Sequence, residues 1–240
     1  MEKSFEELDY EVTQLGELSL RRRKIPMLEN EIVYEIILNG EFLMSSLFHV
    51  VEEALADLGL AAAPQLPLDV VVGGLGLGYT AAAALRNQGV RSLLIVDFLE
   101  PVIRWHRAGL VPLGAGIASD PRTEFVAADF FALAADPGKG FDAASPGRKF
   151  HAILLDIDHT PQHWLNERHA AFYTIEGLQK LRQHLHPGGV FALWSDAPPD
   201  QEFCSRLDGV FVDVQAHIVS FANPIRGGES SGTVYAAISA

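Results

Sequence analysis

The rhythm of hydrophobic and polar positions changes once along the chain, near residue 65. Before that point, residues 17–25, 31–38 and the short 41–44 read as β-type segments, with turns at 26–30 and at Asn39-Gly40. Asn-Gly between alternating apolar residues is a strong hairpin signal. Ser45 or Ser46 caps a predicted helix running to Leu58 and stopped by Gly59. Its apolar stripe is Leu47, Val50, Val51, Ala54, Leu55 and Leu58, which leaves His49, Glu52 and Glu53 near the polar side. From residue 68 the pattern becomes strand and helix in turn: an apolar run into a glycine loop, a helix near 80–88, a strand at 92–96, and a helix opened by Glu100-Pro101. Strands at 124–127 and 151–155, a helix at 170–185 and a strand at 190–194 follow. The tail breaks the alternation, because the β-rich segments 210–221 and 233–238 flank the Gly-rich 223–232 and should pair antiparallel at a sheet edge.

These elements predict an α/β chain: a Rossmann-like, doubly wound, mostly parallel sheet with a C-terminal antiparallel hairpin, preceded by a small N-terminal β-hairpin unit. The division falls at 1–64 for the N-terminal unit with its helix and 65–240 for the main domain. In a strand, the run Arg21-Arg22-Arg23-Lys24 sends alternate charges to opposite faces. A solvated edge strand guarded against aggregation is the favoured reading of it, with a subunit contact or an anion site as the others.

Composition narrows the class of ligand. With 240 residues and 48% hydrophobic content the chain can bury one full core. Its net charge of -13 argues against nucleic acid, whose affinity depends on Lys and Arg neutralising phosphates, and leaves a small molecule, with weak compatibility for a cationic amine. No apolar run is long enough to span a bilayer, and the acidic MEKSFEELDYE lacks the order of a signal peptide, so a cytoplasmic protein is expected. Cys204 stands alone, which excludes an internal disulfide and a cysteine metal cluster.

The stretch 69–85, DVVVGGLGLGYTAAAAL, carries the candidate chemistry. Gly73, Gly74, Gly76 and Gly78 join a buried strand to a helix start, where free N–H groups and bare backbone suit an electron-rich ligand. Gly74-x-Gly76-x-Gly78 fits an AdoMet-type loop, while Gly76-x-Gly78-x-x-Ala81 also satisfies the dinucleotide fingerprint. Asp97, Asp129 and Asp156 fall at the carboxyl ends of predicted strands, where open α/β sheets bind their ligands. A helix cap is the competing role for Asp129. The segment after Asp156, DIDHTPQHWLNERHAAFY, is expected to cover the pocket and offer Asp158, His159, His163, Trp164, Glu167 and Tyr173 to a substrate. No metal is assigned to the His159 and His163 pair, because Pro161 interrupts a ready helix.

Taken together, VVVGGLGLG, LLIVD ending at Asp97, DPRTEFVAADFF around Asp129, FHAILLDID at Asp156 and LHPGGVFALW resemble the spermidine and spermine synthase family. The resemblance covers roughly residues 65–240, with the N-terminal hairpins alike in character only. It implies a class I methyltransferase-like sheet behind a small β-domain, an AdoMet or decarboxylated AdoMet donor, an amine acceptor and at least a homodimer. It further implies that Asp97 takes the ribose hydroxyls, Asp129 the adenine amino group, and Asp156 the attacking amine; Asp158 and His159, from the covering segment, are the other catalytic candidates. Three positions depart from the family pattern: Gly76 stands at the place of the loop aspartate of GGGDG, Leu43 at that of the hairpin glutamine, and Asp156-Ile157-Asp158-His159-Thr160-Pro161 replaces the DSSDP-type gatekeeper. Two of three polar handles for the donor's free amine are thus missing. An alkyl transferase with methyl transfer slightly ahead of aminopropyl transfer is therefore expected. A nucleotide-binding module without turnover and an NAD-dependent enzyme are the alternatives.

Overall fold

A computed structural model describes residues 3–64 and 67–240 of the chain. The boundary expected between residues 64 and 65 falls at Gln65 and Leu66, outside the described residues. The N-terminal unit is one antiparallel sheet of four strands in sequence order: β1 (Phe5–Thr13), β2 (Gly16–Ile25), β3 (Glu31–Leu38) and β4 (Glu41–Ser45). Asn39 and Gly40 both take positive φ, 54° and 78°, as the expected tight turn requires. β1 is an addition to the expected hairpins. Its apolar Phe5, Tyr10 and Val12 face solvent, and Asp9 and Glu11 face the main domain, where they accept from Trp105 and Arg104.

The basic run lies on β2, which has β1 on one side and β3 on the other, so it is not on an edge strand. Arg21 and Arg23 clasp the buried Glu35 at 2.7 and 2.8 Å, and Arg22 pairs with Glu6 at 2.8 Å. Burial pushes the Glu35 carboxyl up, but the two guanidinium groups outweigh it and hold the carboxyl below its ordinary value.

The helix α1 (Val50–Ala61) starts later and ends later than expected, without a serine cap. Gly59 does not stop it. That residue packs where a Cβ would press on Leu154 and Ala192, bringing the helix close to the main sheet. The buried positions are Val51, Glu52, Leu55, Ala56, Gly59 and Leu60, so the inward face is turned from the expected stripe: Glu52 is inside and Val50 is exposed.

The main domain follows as β5 (Leu68–Gly73), α2 (Tyr79–Arg86), β6 (Val90–Asp97), α3 (Glu100–Arg107), α4 (Gly114–Ser119), β7 (Thr123–Ala127), α5 (Phe130–Ala134) and β8 (Phe150–Leu155). It is completed by α6 (Ile175–Arg182), β9 (Leu185–Ser195), α7 (Gln201–Asp208), β10 (Val212–Ala222) and β11 (Glu229–Ile238). The sheet order is β10-β11-β9-β8-β5-β6-β7, parallel from β9 to β7, with the antiparallel β10–β11 pair at one edge, as the sequence predicts. All six residues of β5 are buried, since both faces of the sheet are covered. Val70 and Val72 pack with Leu55, Ala84 and the N-terminal Leu18, Leu20 and Ile36; Val71 faces the other way, with Phe130, Leu178 and Phe191. The helix expected over 170–185 is broken at Thr174: a 3-10 segment, Glu167–Tyr173, precedes it, and the Thr174 side chain caps α6. Among the described residues no helix is long and apolar enough to cross a membrane.

Candidate active site

Strand order reverses on either side of β5, so β6 and β8 diverge from its carboxyl end and leave a crevice. The glycine loop enters this crevice from β5. Gly74 (φ 90°) and Gly76 (φ 48°) line a cavity of about 430 Å³ there. A Cβ on Gly74 would overlap the Asp156 carbonyl, and one on Gly76 would overlap the Met44 sulfur, which accepts the Leu77 N–H at 3.0 Å. Only glycine lets the chain pass so close while adopting that backbone. Gly73 and Gly78, also expected to bind the cofactor, are absent from the cavity wall; they lie against Phe130 and against His106 and Ile117. His106, which no sequence motif marks, supports the loop from beneath with Nε2 2.9 Å from the Gly76 carbonyl. Burial pulls its pKa down to about 4, so the neutral ring donates from Nε2.

Asp97, Asp129 and Asp156 all line this cavity. Asp97 ends β6 and accepts the Leu75 and Leu99 N–H groups at 2.8 and 2.7 Å, one on each oxygen, which fixes the carboxyl while leaving lone pairs on both. Burial raises its pKa and these backbone donors oppose the rise. Asp129 caps α5, with Oδ1 accepting from Phe131 and Ala132, and Oδ2 takes no part in the cap. Asp156 follows β8, and its Oδ2 accepts the Thr80 hydroxyl at 2.6 Å. Burial pushes Asp156 up to about 6. Glu52, from α1, stands in the same wall; burial first and the neighbouring Asp156 second push it up to about 8. The helical pattern places Glu52 outside, and no sequence signal marks it beyond its position one turn into a helix that precedes the loop.

The lid after Asp156 divides into wall and brace. His159 lines the cavity, with Nδ1 3.6 Å from Asp196. Asp158 does not line it, contrary to its expected catalytic place. It is 1% exposed and accepts from Leu165 N–H at 2.8 Å, His169 Nδ1 at 2.8 Å and the Tyr173 hydroxyl at 2.9 Å. Tyr173 is likewise buried on that carboxylate and not in the cavity wall, a packing role where a substrate contact was expected. Burial and Asp158 together hold the Tyr173 hydroxyl well above its ordinary pKa, as a donor. Trp164 packs on the core and gives its N–H to the Pro161 carbonyl at 2.9 Å, and His163 is exposed; neither reaches the cavity. Instead Leu165, Asn166, Arg168 and His169 supply the lid's inner surface, and His169 stacks on Phe131 at 3.8 Å between centroids.

A second, wider cavity of about 1020 Å³ opens between the N-terminal sheet and the β10–β11 hairpin. Leu43, Met44, Glu52, His159 and Trp194 belong to both walls, so the two spaces meet at Glu52.

No family model matches the chain. Its sequence is similar to the polyamine aminopropyltransferase of Pyrobaculum calidifontis, 28% identical over 165 residues, which cover 69% of this chain and 53% of the relative. The enzyme of that name from Prochlorococcus marinus is 30% identical over 175 residues, 73% of this chain and 55% of the relative. Polyamine aminopropyltransferase 2 of Pseudomonas aeruginosa is 27% identical over 182 residues, 72% and 46% of the two chains. The chain thus spans about half the length of the relatives it matches. In fold it is similar to the spermidine synthase of Thermotoga maritima, with TM-score 0.72, 18% identity and coverage of 98% of this chain and 73% of that one. It is also similar, at TM-score 0.57 and 19% identity, to human methyltransferase-like protein 13 in complex with SAH, over 76% of this chain and 80% of that one. These names lend no support to the expected preference for methyl over aminopropyl transfer. Sequence relatives and fold together relate the chain to the spermidine/spermine synthase family and give it the class I AdoMet-type architecture.

Proposed function

We propose that the protein is an aminopropyl transferase that moves the propylamine group of decarboxylated AdoMet to a small amine. The observation that carries this reading is the convergence of Asp97, Asp129 and Asp156 on one cavity beside the bare backbone of Gly74 and Gly76. Asp97 and Asp129 hold the nucleoside through its hydroxyls and exocyclic amine. A sulfonium donor and an ammonium acceptor both gain from a poorly solvated site whose wall carries carboxylates. In the transfer, the acceptor nitrogen forms a bond to the propyl carbon next to sulfur. The S–C bond breaks with its electron pair on sulfur, and a proton of the nitrogen passes to the Asp156 carboxylate. A pKa near 6 leaves that group mostly ionised at neutral pH yet basic enough to accept a proton.

Methyl transfer remains the second reading, favoured by Met44 filling the space beside Gly76 where a polar handle for the donor's amine would extend. Parallel calorimetric titrations with AdoMet and decarboxylated AdoMet, followed by mass spectrometry of products formed with short diamines, separate the two. Tighter binding of decarboxylated AdoMet and a mass gain of one aminopropyl unit are expected. Preference for AdoMet with gain of a methyl group overturns the first reading, and binding of neither overturns both.

A further inference from the structure

We propose that Glu52 is the carboxylate that seats the ammonium group of the acceptor amine, at the point where the two cavities meet. This rests on the transfer reading above and adds to it a residue that sets acceptor specificity.

Two neighbouring acids on α1 are used differently. Glu53 is paired with Arg86 at 2.8 Å and has His49 Nδ1 2.7 Å away. Glu52 is 8% exposed, and among the described residues its carboxylate has no ion-pair partner; only its own backbone N–H and, last, the Trp194 indole oppose the effect of burial. The indole N–H of Trp194 is near enough to hold Glu52 down slightly, but it is itself buried without a properly placed acceptor. An acid so buried and so little compensated destabilises a fold unless a ligand completes it.

Its position says which ligand. Asp156 belongs to the wall of the inner cavity alone, whereas Glu52 belongs to both. A cation entering through the outer space therefore meets Glu52 and Trp194 at the junction, with Asp156 next beyond. Carboxylate and indole are the groups that recognise an alkylammonium ion. The titratable groups facing Glu52 are Asp156 beyond β8, Glu53 on its own helix and Tyr79 from α2; His159 shares the wall, and β9 contributes the Trp194 indole. Burial first, then Asp156 and Glu53, oppose ionisation of Glu52, so until a cation arrives the carboxyl mostly keeps its proton at neutral pH. Seating a cation expels it.

The test uses the full chain, α,ω-diamines of three to five carbons as acceptor probes, and 5′-methylthioadenosine as a probe of the nucleoside site. For Glu52→Gln we expect KM for the preferred diamine to rise about 50-fold, with kcat changed less than about fivefold and nucleoside affinity within about twofold. Calorimetry in phosphate and in Tris should show more proton released on diamine binding to the wild type than to the variant. Glu52→Asp should recover part of the affinity. Unchanged KM and proton release in Glu52→Gln overturn the proposal. So does equal loss of diamine and nucleoside binding, which marks a merely structural role, and so does a wild type that binds the nucleoside but no diamine. If the wild type does not bind the nucleoside either, the transfer reading itself fails.

Discussion

The two ends of the parallel strands treat buried carboxylates in opposite ways. At the amino end, Asp69 starts β5 and is enclosed by Arg91, by Arg148 at 3.1 Å and by the Ser92 hydroxyl at 2.7 Å. Burial works to raise its pKa, and these partners overcome it and hold the group low. At the carboxyl end, Asp156 has a threonine hydroxyl and Glu52 has less, and both are pushed up by burial. The fold can therefore neutralise an internal acid, and it does so for Asp69 at the amino end. At the carboxyl end Asp156 and Glu52 are left without a cationic partner, a local instability placed at the crevice.

The largest effect should follow from breaking that asymmetry at the reacting centre. Asp156→Asn keeps the shape and the bond from Thr80 but removes the proton acceptor. Turnover is expected to fall by roughly 10²–10⁴-fold. Affinity for 5′-methylthioadenosine, read by calorimetry, should stay within a fewfold of wild type. A variant with near-normal turnover would show that the carboxyl end's raw charge has no part in the chemistry.

Next comes the pH dependence of stability. In the unfolded chain Glu52 ionises near 4.5, and in the folded protein near 8. Between those values the folded state holds a proton that the unfolded state has lost, so rising pH favours unfolding. Its stabilising contribution is complete below about 4.5 and gone above about 8. A tenfold difference in proton affinity between the two states corresponds to about 1.4 kcal/mol. Asp156, also raised and coupled to Glu52, adds to the fall, so a loss on the order of 5 kcal/mol across the window is expected for the wild type. Glu52→Gln should flatten the fall in denaturant midpoints measured from about pH 5 to about pH 8. An equally steep fall in the variant would place the titration elsewhere.

What could be read in the sequence follows from how local each signal is. The glycine loop and Asp97, Asp129 and Asp156 were legible because a buried parallel strand is a short apolar run, and the residues after it must sit at the crevice. Glu52 was not. Its helix packs on the main sheet through Gly59, which rotates the inward face away from the stripe that counting apolar residues suggests. Asp158 and Tyr173 were drawn into the site by their nearness in sequence to Asp156. Their bond to each other spans fifteen positions and turns them into a brace, and nothing in a linear pattern announces such a closure. β1 escaped for a related reason: its register shifts between Glu7 and Asp9, and it places acids inward against α3 and apolar residues outward, so its alternation carries the opposite sense from a core strand.

A smaller effect is expected at the amino end. Asp69→Asn leaves Arg91 and Arg148 without their shared counter-charge but both retain contact with water, so the cost should be about 2 kcal/mol. Thermal unfolding should register it as a lowered midpoint, with nucleoside affinity unchanged. Loss of that affinity would mean that the two ends are coupled through the strands.

The smallest predicted change separates backbone strain from site geometry. Gly188, in the irregular first part of β9 at the amino end, has φ +75° with nothing within 4 Å of an added Cβ. Gly74, at the carboxyl end, has φ +90° and a Cβ there would strike the Asp156 carbonyl. Alanine at 188 adds only the left-handed penalty, about 1 kcal/mol, because its methyl group meets open space. Stability should drop by that amount while donor binding and turnover stay at wild-type values. If Gly188→Ala impaired nucleoside binding, strain at one end of a strand would be reaching the other, and the crevice could no longer be treated as a site built by its own loop and its own acids.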